Sequence, residues 1–348
     1  MKRNKSIALC IDTFHPGGAE RVCINFANQL LAMGYEVKIF AFNSKQSFYL
    51  EELNDEIKVI YLDTSGTLDT FLKVLSEDVF KDSGSIIAFN HQISLLLYFS
   101  KSIKRYKWKL ISRNVNNLRS NLNDRNHNLR SFLLKSLMNK FYPKMDYYIS
   151  QCEEMKLDMS LFYGIDKNKI IVINNPVSDK FKHKKLEKEF DIIFVGRFKP
   201  QKGIDKLIRI LNEVSRHKDI KVKVVGRGEL KDEFLSSINH DRVKLDYSSS
   251  SNDLPDLFNR SKVTILTSNY EGYPNVLNES LACGTPVISF DCKSGPRDII
   301  VDNENGFLIR DFNTLDFSRK ILSILNDEVT LNPKIINFTN FENITRIL

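Results

Sequence analysis

Residues 268–288 read Ser268-Asn269-Tyr270-Glu271-Gly272-Tyr273-Pro274-Asn275-Val276-Leu277-Asn278-Glu279-Ser280-Leu281-Ala282-Cys283-Gly284-Thr285-Pro286-Val287-Ile288. Pro274 suits the first position of a helix, where its missing N–H costs nothing, and Gly284 suits the position just past the end. The pattern predicts a helix over Pro274–Cys283. Two β-branched runs flank it and read as strands, Lys262–Thr267 and Pro286–Phe290. Strand, loop, helix and strand in so short a span make a parallel βαβ unit. In open parallel sheets, ligands bind beyond the carboxyl ends of the strands. Glu271 stands in such a loop, and Glu279 about two turns into the helix.

The same alternation extends outward. Asp191–Val195, Ile220–Val225 and Arg242–Leu245 read as strands, with helices over Gly203–Ser215 and Leu230–Ile238. Toward the N-terminus, strands are expected at Ile7–Ile11, Glu36–Phe42, Lys58–Leu62, Ser85–Phe89, Lys109–Ser112, Tyr147–Ser150 and Lys169–Ile173. Helical patterns cover Ala19–Met33 and Thr67–Phe80. Between the two runs, Ser178–Phe190 is polar, crowded with Lys, and follows Asn174-Asn175-Pro176, so it reads as a linker. Phe338–Leu348 reads as a terminal helix able to pack back on the first half. The fold class is therefore α/β, with two similar Rossmann-like halves expected to face each other across a cleft. The expected divisions are a first domain over 1–177, a linker over 178–190, a second domain over 191–334 and a returning helix over 335–348.

Composition agrees with two globular domains: the chain has 348 residues, 42% hydrophobic and 27% charged. No apolar run approaches the ~18 residues of a membrane-spanning helix. Met1 to Lys5 followed by a short apolar run reads as the entry to a buried strand, not as a secretory leader. Five scattered Cys (Cys10, Cys23, Cys152, Cys283, Cys292) with no Cys-x-x-Cys pair read as reduced cytosolic thiols. The net charge is +8, and Lys101 to Lys144 holds twelve basic residues against the single acid Asp124. That stretch is either a solvated face or a surface for an anionic partner. Within it Arg125, Arg130, Lys135 and Lys140 accompany Leu129, Phe132, Leu133, Leu137 and Phe141 on an expected amphipathic helix. An apolar stripe under a basic exposed face suits docking to an anionic leaflet. No nucleic-acid recognition motif is present.

Three more strand-end loops carry glycine. His15-Pro16-Gly17-Gly18 precedes a helix, where exposed N–H groups favour an anion, although a tight turn needs the same residues. Gly196-Arg197 with Lys202-Gly203 presents two cations five residues apart; Arg offers a planar fork and Lys a point charge to a diphosphate. Gly226-Arg227-Gly228 has Gly-x-Gly but Lys at 231, so it fails as a dinucleotide fingerprint, while a base or ribose could approach its backbone. In the 268–288 stretch, the amides of Asn275, Val276 and Leu277 at the helix start suit phosphate. Glu279 can accept from ribose hydroxyls and Glu271 can meet a sugar. Both glutamates also fit a plain surface role.

In order along the chain, Gly17-Gly18-Ala19-Glu20, Gly196-Arg197, Lys202-Gly203, Glu271-Gly272-Tyr273-Pro274, the Glu271/Glu279 pair, Gly284-Thr285-Pro286-Val287 and Asn305-Gly306 resemble the retaining GT-B glycosyltransferases of family 4 (glycosyl transferases group 1). The resemblance covers nearly the whole chain and implies the GT-B fold. It implies that Arg197 and Lys202 hold the donor diphosphate, that Glu279 binds the ribose and that Glu271 lies against the donor sugar. Gly196, Gly226, Gly228, Gly272, Tyr273, Pro274, Asn275 and Val276 would line the donor, with Gly17 and Gly18 approaching it from the first domain. The substrate pair it implies is a nucleotide sugar, by resemblance a UDP-linked hexose or N-acetylhexosamine, and a lipid-linked or saccharide acceptor of a bacterial cell-surface glycan. The expected location is cytoplasmic, peripheral on the inner face of the membrane. No cofactor is expected, and the chain has no Asp-x-Asp pair for a donor-chelating metal. One departure concerns the loop after the fifth strand: Ile111-Ser112-Arg113-Asn114 stands where many relatives carry a His, which assigns Arg113 and Asn114 to the acceptor or membrane side. Another is Asp298 after Ser294-Gly295-Pro296, shorter than the family's usual acid. Two other readings compete: an NAD(P)-dependent two-domain oxidoreductase, disfavoured by the missing Gly-x-Gly-x-x-Gly after the first strand, and a non-catalytic basic membrane protein of the same fold.

Overall fold

The computed structural model describes residues 6–14, 18–43, 50–114, 129–336 and 341–348, with backbone only at 129–131. Gly17 and Arg125 lie outside the described residues, as does the Arg130 side chain. Contacts divide the chain into two compact units, Met1–Pro176 with Thr339–Leu348, and Val177–Phe338.

The first unit runs β1 (Ser6–Ile11), α1 (Gly18–Ala32), β2 (Glu36–Ala41), β3 (Lys58–Tyr61), α2 (Thr67–Ser76), β4 (Ser85–Ala88), α3 (His91–Lys104), β5 (Lys109–Arg113), α4 (Leu129–Phe141), β6 (Tyr147–Ser150), α5 (Glu153–Tyr163) and β7 (Ile170–Val172). Its strands are parallel, in the order β3-β2-β1-β4-β5-β6-β7, so the winding reverses between β1 and β4. β1 and β4 are buried along their whole length, as strands covered on both faces must be. One face packs on α2, α3, α4 and α5 through Val74, Leu97, Met138 and Met159. The other packs on α1 and the C-terminal segment through Phe26, Leu30, Ile344 and Ile347.

The second unit repeats the plan: β8 (Phe190–Val195), α6 (Ile204–His217), β9 (Ile220–Val225), α7 (Lys231–Ser237), β10 (Val243–Ser248), α8 (Leu254–Asn259), β11 (Ser261–Leu266), α9 (Asn275–Ala282), β12 (Val287–Phe290), α10 (Pro296–Ile299), β13 (Gly306–Ile309) and α11 (Thr314–Leu325). The parallel order β10-β9-β8-β11-β12-β13 reverses between β8 and β11. This is the doubly wound order in which strands on either side of the reversal splay their carboxyl-end loops apart and open a crevice. α6 buries Leu207, Ile210, Leu211 and Val214, the i, i+3, i+4, i+7 stripe of an amphipathic helix.

Three expectations change. Pro274 is not the first helical residue: at φ −75° and ψ 92° it is extended and caps α9, which starts at Asn275. The terminal segment is no α-helix; Phe341–Arg346 forms a 3-10 turn. The apolar residues Phe341, Ile344 and Ile347 fall three apart, which is the 3-10 period. Phe341 stacks edge-on against Phe26 at 4.8 Å, and Lys109 Nζ donates to the Leu348 carbonyl at 2.7 Å. Finally, the stretch 178–190 lacks regular structure up to Glu189 but is strapped onto the second unit. Phe181 is buried, Lys184 pairs with Asp256 at 2.6 Å, and Lys188 Nζ donates to the carbonyls of Asn259 and Ser261 at 2.9 and 2.7 Å. Two of the lysines that give it a solvated composition, Lys184 and Lys188, are thus spent on the domain surface.

The loops after β8 and β9 touch backbone to backbone. A Cβ on Gly226 would lie 1.8 Å from the Gly196 carbonyl oxygen, and one on Gly228 would lie 2.3 Å from that of Phe198. The chain's own close packing therefore explains both glycines. Gly226→Ala is expected to lower the stability of the second unit by about 2–3 kcal/mol or more, as overpacking against backbone does. Gly66→Ala, with nothing within 4 Å of the added carbon, should be near neutral. Urea unfolding of the two variants checks the contrast.

Candidate active site

The carboxyl edge of the second sheet gathers the loops after β8, β11 and β12. After β8, the chain turns through Gly196 and Arg197 into a 3-10 turn over Pro200–Lys202. Gly203, at φ +60°, then starts α6, and a Cβ there would meet the Thr267 carbonyl oxygen at 2.2 Å. Only glycine allows both that conformation and that approach. Four hydrogen bonds sew this loop to the one after β11. The Asn269 amide donates to Gln201 O (2.8 Å) and its side chain to Pro200 O (2.7 Å); Gln201 Nε2 donates to Tyr270 O (3.1 Å) and Thr267 Oγ1 to Lys202 O (2.8 Å).

That seam delivers Lys202 to Glu271. Lys202 Nζ lies 2.6 Å from Glu271 Oε1, with the side chains 13% and 7% exposed. Ser268 Oγ donates to the same oxygen at 2.6 Å. The Glu271 amide donates to Lys293 O at 2.9 Å, tying in the loop after β12. A buried ion pair recovers its desolvation cost only when further hydrogen bonds complete it, and Ser268 supplies one. Arg197 differs: its side chain is exposed and makes no ion pair or hydrogen bond to a described residue. The loop thus offers one committed cation and one open guanidinium fork.

The remaining predicted donor residues of the second unit lie on α9, on the turn before it and on the loop after β9. Glu279, on α9, is nearly buried at 8% exposure. Tyr273 is buried and its hydroxyl accepts from Asn278 Nδ2 at 2.9 Å, so it props the start of α9. Of the three amides expected to be free there, that of Leu277 donates to Pro274 O at 3.0 Å and is not available. Gly272, Asn275 and Val276 lie at the same turn. Gly226 and Gly228 follow β9 on the neighbouring loop. Burial, reinforced by Glu271, pushes the Cys292 thiol well up, which keeps it an inert neighbour. Sequence reading missed Ser268, Thr267, Asn269, Gln201 and Lys206. Lys206 Nζ bonds Asn269 Oδ1 and stands 4.8 Å over the Phe312 ring, and burial lowers its pKa. Their partners lie 63 to 69 residues away for Lys206 and Gln201, so no local spacing signals them.

In the first unit, Gly18 is the exposed first residue of α1. Arg113 and Asn114, assigned to an acceptor or membrane face, are interior instead. The Arg113 guanidinium is sealed between the Phe26 and Phe89 rings, 5.0 Å from each centroid, and donates to Asn175. Burial lowers its pKa to about 9, so it is still charged at neutral pH. Asn114 donates to the Tyr142 hydroxyl, which also bonds Ser112 Oγ at 2.9 Å, and Gln151 Nε2 donates to Asn114 O at 2.6 Å. Such a network fixes the end of β5 and offers nothing to a membrane. On α4, Lys140 is exposed and Lys135 half-buried, and Phe132 and Leu133 are 72% and 57% exposed. Among the described residues, no helix is long and apolar enough to cross a membrane.

Two family models together match most of the chain: Glycosyltransferase Family 4 over residues 16–181 and Glycosyl transferases group 1 over residues 177–339. A Campylobacter jejuni protein named as a GalNAc-alpha-(1->4)-GalNAc-alpha-(1->3)-diNAcBac-PP-undecaprenol alpha-1,4-N-acetyl-D-galactosaminyltransferase is 24% identical over 330 residues, spanning 92% of this chain and 89% of its own. Among solved structures, Staphylococcus aureus TarM superposes with a TM-score of 0.75 at 16% identity, covering 93% of this chain and 92% of that one. HepE from Anabaena, in complex with UDP-glucose, superposes with a TM-score of 0.74 at 19% identity, covering 93% and 90%.

The ion pair makes a testable energetic demand. Lys202→Met should destabilise the second unit by about 1–3 kcal/mol, because Glu271 is left buried beside Ser268 alone. The double variant Lys202→Met/Glu271→Leu should cost clearly less than the sum of its singles. Urea unfolding of all four proteins reads the coupling, and additive losses would show that the pair is not a unit.

Proposed function

The chain belongs to the family 4 (group 1) glycosyltransferases and has the GT-B fold, and from that premise we propose that it moves a sugar, with retention of anomeric configuration, from a UDP-linked hexose or N-acetylhexosamine to a lipid-linked or growing polysaccharide acceptor of a bacterial surface glycan. One observation carries the reading: beside the reversal between β8 and β11, a buried Lys202–Glu271 pair stands five residues beyond an exposed Arg197 with no hydrogen bond or ion pair to a described residue. Cationic groups suit a diphosphate, and a fixed carboxylate suits a sugar. The uridine base is supported by the UDP-glucose in HepE, and an N-acetylhexosamine on a diphospho-undecaprenol carrier by the name of the Campylobacter relative.

In this mechanism, the bond from the sugar's anomeric carbon to the diphosphate oxygen breaks as the acceptor oxygen bonds to the same face of that carbon. The acceptor's proton passes to the departing phosphate oxygen. Negative charge grows on the diphosphate, where the Arg197 fork and the Lys202 ammonium stabilise it. Positive charge grows on the sugar ring, where Glu271 stabilises it. Glu279 accepts from the ribose hydroxyls. The reaction is proposed to need no divalent ion, since these cations serve the leaving group. In support, the chain has no Asp-x-Asp pair. The exposed Phe132 and Leu133 with Lys135 and Lys140 are proposed to dock on an anionic membrane, where a lipid-linked acceptor lies.

Calorimetry should show UDP binding that Arg197→Ala weakens about 10- to 100-fold, the loss of a charged hydrogen bond. No affinity for any nucleoside diphosphate would overturn the reading. Glu271→Ala should lower kcat by about 100-fold or more with the fold intact. NMR of the product should show the donor's anomeric configuration, and turnover should survive EDTA. In a separate measurement, Phe132→Ser/Leu133→Ser should weaken binding to vesicles containing anionic lipid by at least about 10-fold, given the apolar area removed. Unchanged vesicle binding would remove this face from the proposal.

A further inference from the structure

We infer that Ser268 is a positioning residue for sugar transfer: it holds one oxygen of the Glu271 carboxylate so that the other, Oε2, is the one presented to the donor sugar. The inference rests on the reading of Glu271 given above and adds which atom acts and what aims it.

The geometry is specific. Ser268 stands two residues past the end of β11 and is fully buried. Its hydroxyl lies 2.6 Å from Glu271 Oε1, and Lys202 Nζ lies 2.6 Å from that same atom. An ionised carboxylate only accepts, so Ser268 must be the donor. Oε1 therefore takes two donors, whereas Oε2 makes no hydrogen bond to a described residue. The backbone of Glu271 is already tied, by its amide on Lys293 O at 2.9 Å and by the bridge between Tyr270 and Lys293. What stays loose is the side chain, above all the last torsion, which is broad and turns the carboxylate plane. A lysine ammonium on a four-carbon stem restrains that torsion poorly, since it moves with its partner. A hydroxyl on a one-carbon arm, rooted next to a strand end, restrains it well. Ser268 thus converts a salt bridge into a fixed orientation, and transfer depends on orientation because misplacing a reacting group by about 1 Å can cost about 100-fold.

The test uses the full-length enzyme with a UDP-sugar donor found active on the wild type. Ser268→Ala should lower kcat about 10- to 100-fold while the donor KM and the affinity for UDP stay within about threefold, because the buried Ser268 hydroxyl is engaged with Glu271 Oε1. Ser268→Thr, which keeps the hydroxyl, should recover most of kcat. Ser268→Cys, which fills the space with a weak donor, should fall with Ala and guards against a packing defect in that variant. In a Glu271→Gln background, Ser268→Ala should have little further effect on the residual rate. An unchanged kcat in both Ser268→Ala and Ser268→Cys, or an equal loss with and without Glu271, overturns the inference. A wild type inactive with every nucleotide sugar overturns the functional reading itself, which keeps the two failures apart.

Discussion

A lysine and a glutamate 69 residues apart meet at 2.6 Å under the surface of the second unit, and the site is organised around that meeting. Neither charge would be stable there alone. Removing either from water costs several kcal/mol, and their attraction offsets this only if the geometry is held and the remaining hydrogen-bonding capacity is met. The surrounding residues meet those conditions. Gly203 lets α6 begin against the Thr267 carbonyl, Asn269 and Gln201 sew the two loops together, and Ser268 takes part of the carboxylate. The glycines after β8 and β9 belong to the same compaction, since a single Cβ between them would force the loops apart.

The two cations of the first loop consequently differ in kind. Lys202 is neutralised by Glu271, whereas Arg197 has no ion pair among the described residues. Arg197, exposed, keeps its planar fork open, while the Lys202 ammonium is held against the Glu271 carboxylate.

The first unit has the same winding and uses its strand ends differently. At the end of β5 it buries an arginine between two phenylalanine rings, where ring faces and Asn175 take the place of a carboxylate. Around it, Ser112, Asn114, Tyr142 and Gln151 exchange hydrogen bonds out of water. Such a network holds the strand ends rigid. Among the described basic residues of 101–144, Arg113 is thus interior, while Lys135 and Lys140 lie on α4, whose Phe132 and Leu133 are exposed.

Sequence alone settled the alternation of strand and helix, the restart of the pattern in a second half, and the family-like order of Gly196, Arg197, Lys202, Glu271 and Glu279. These are local signals, since β-branched runs, amphipathic stripes such as that of α6, and glycines at turns depend on near neighbours. α3 escaped because Ile93 to Leu97 are all buried and leave no polar face to mark a helical period. The terminal segment packs back on the first unit as expected, but as a 3-10 turn, because its apolar residues recur every three positions. What only the tertiary structure decided is partnership and depth. That Lys202 is paired while Arg197 is exposed, that Ser268 shares the Glu271 oxygen, and that Arg113 is interior all depend on loops brought together from distant parts of the chain. Charge and hydrogen-bonding type are written in a residue, but its desolvation and its partner are set by whatever the fold places beside it.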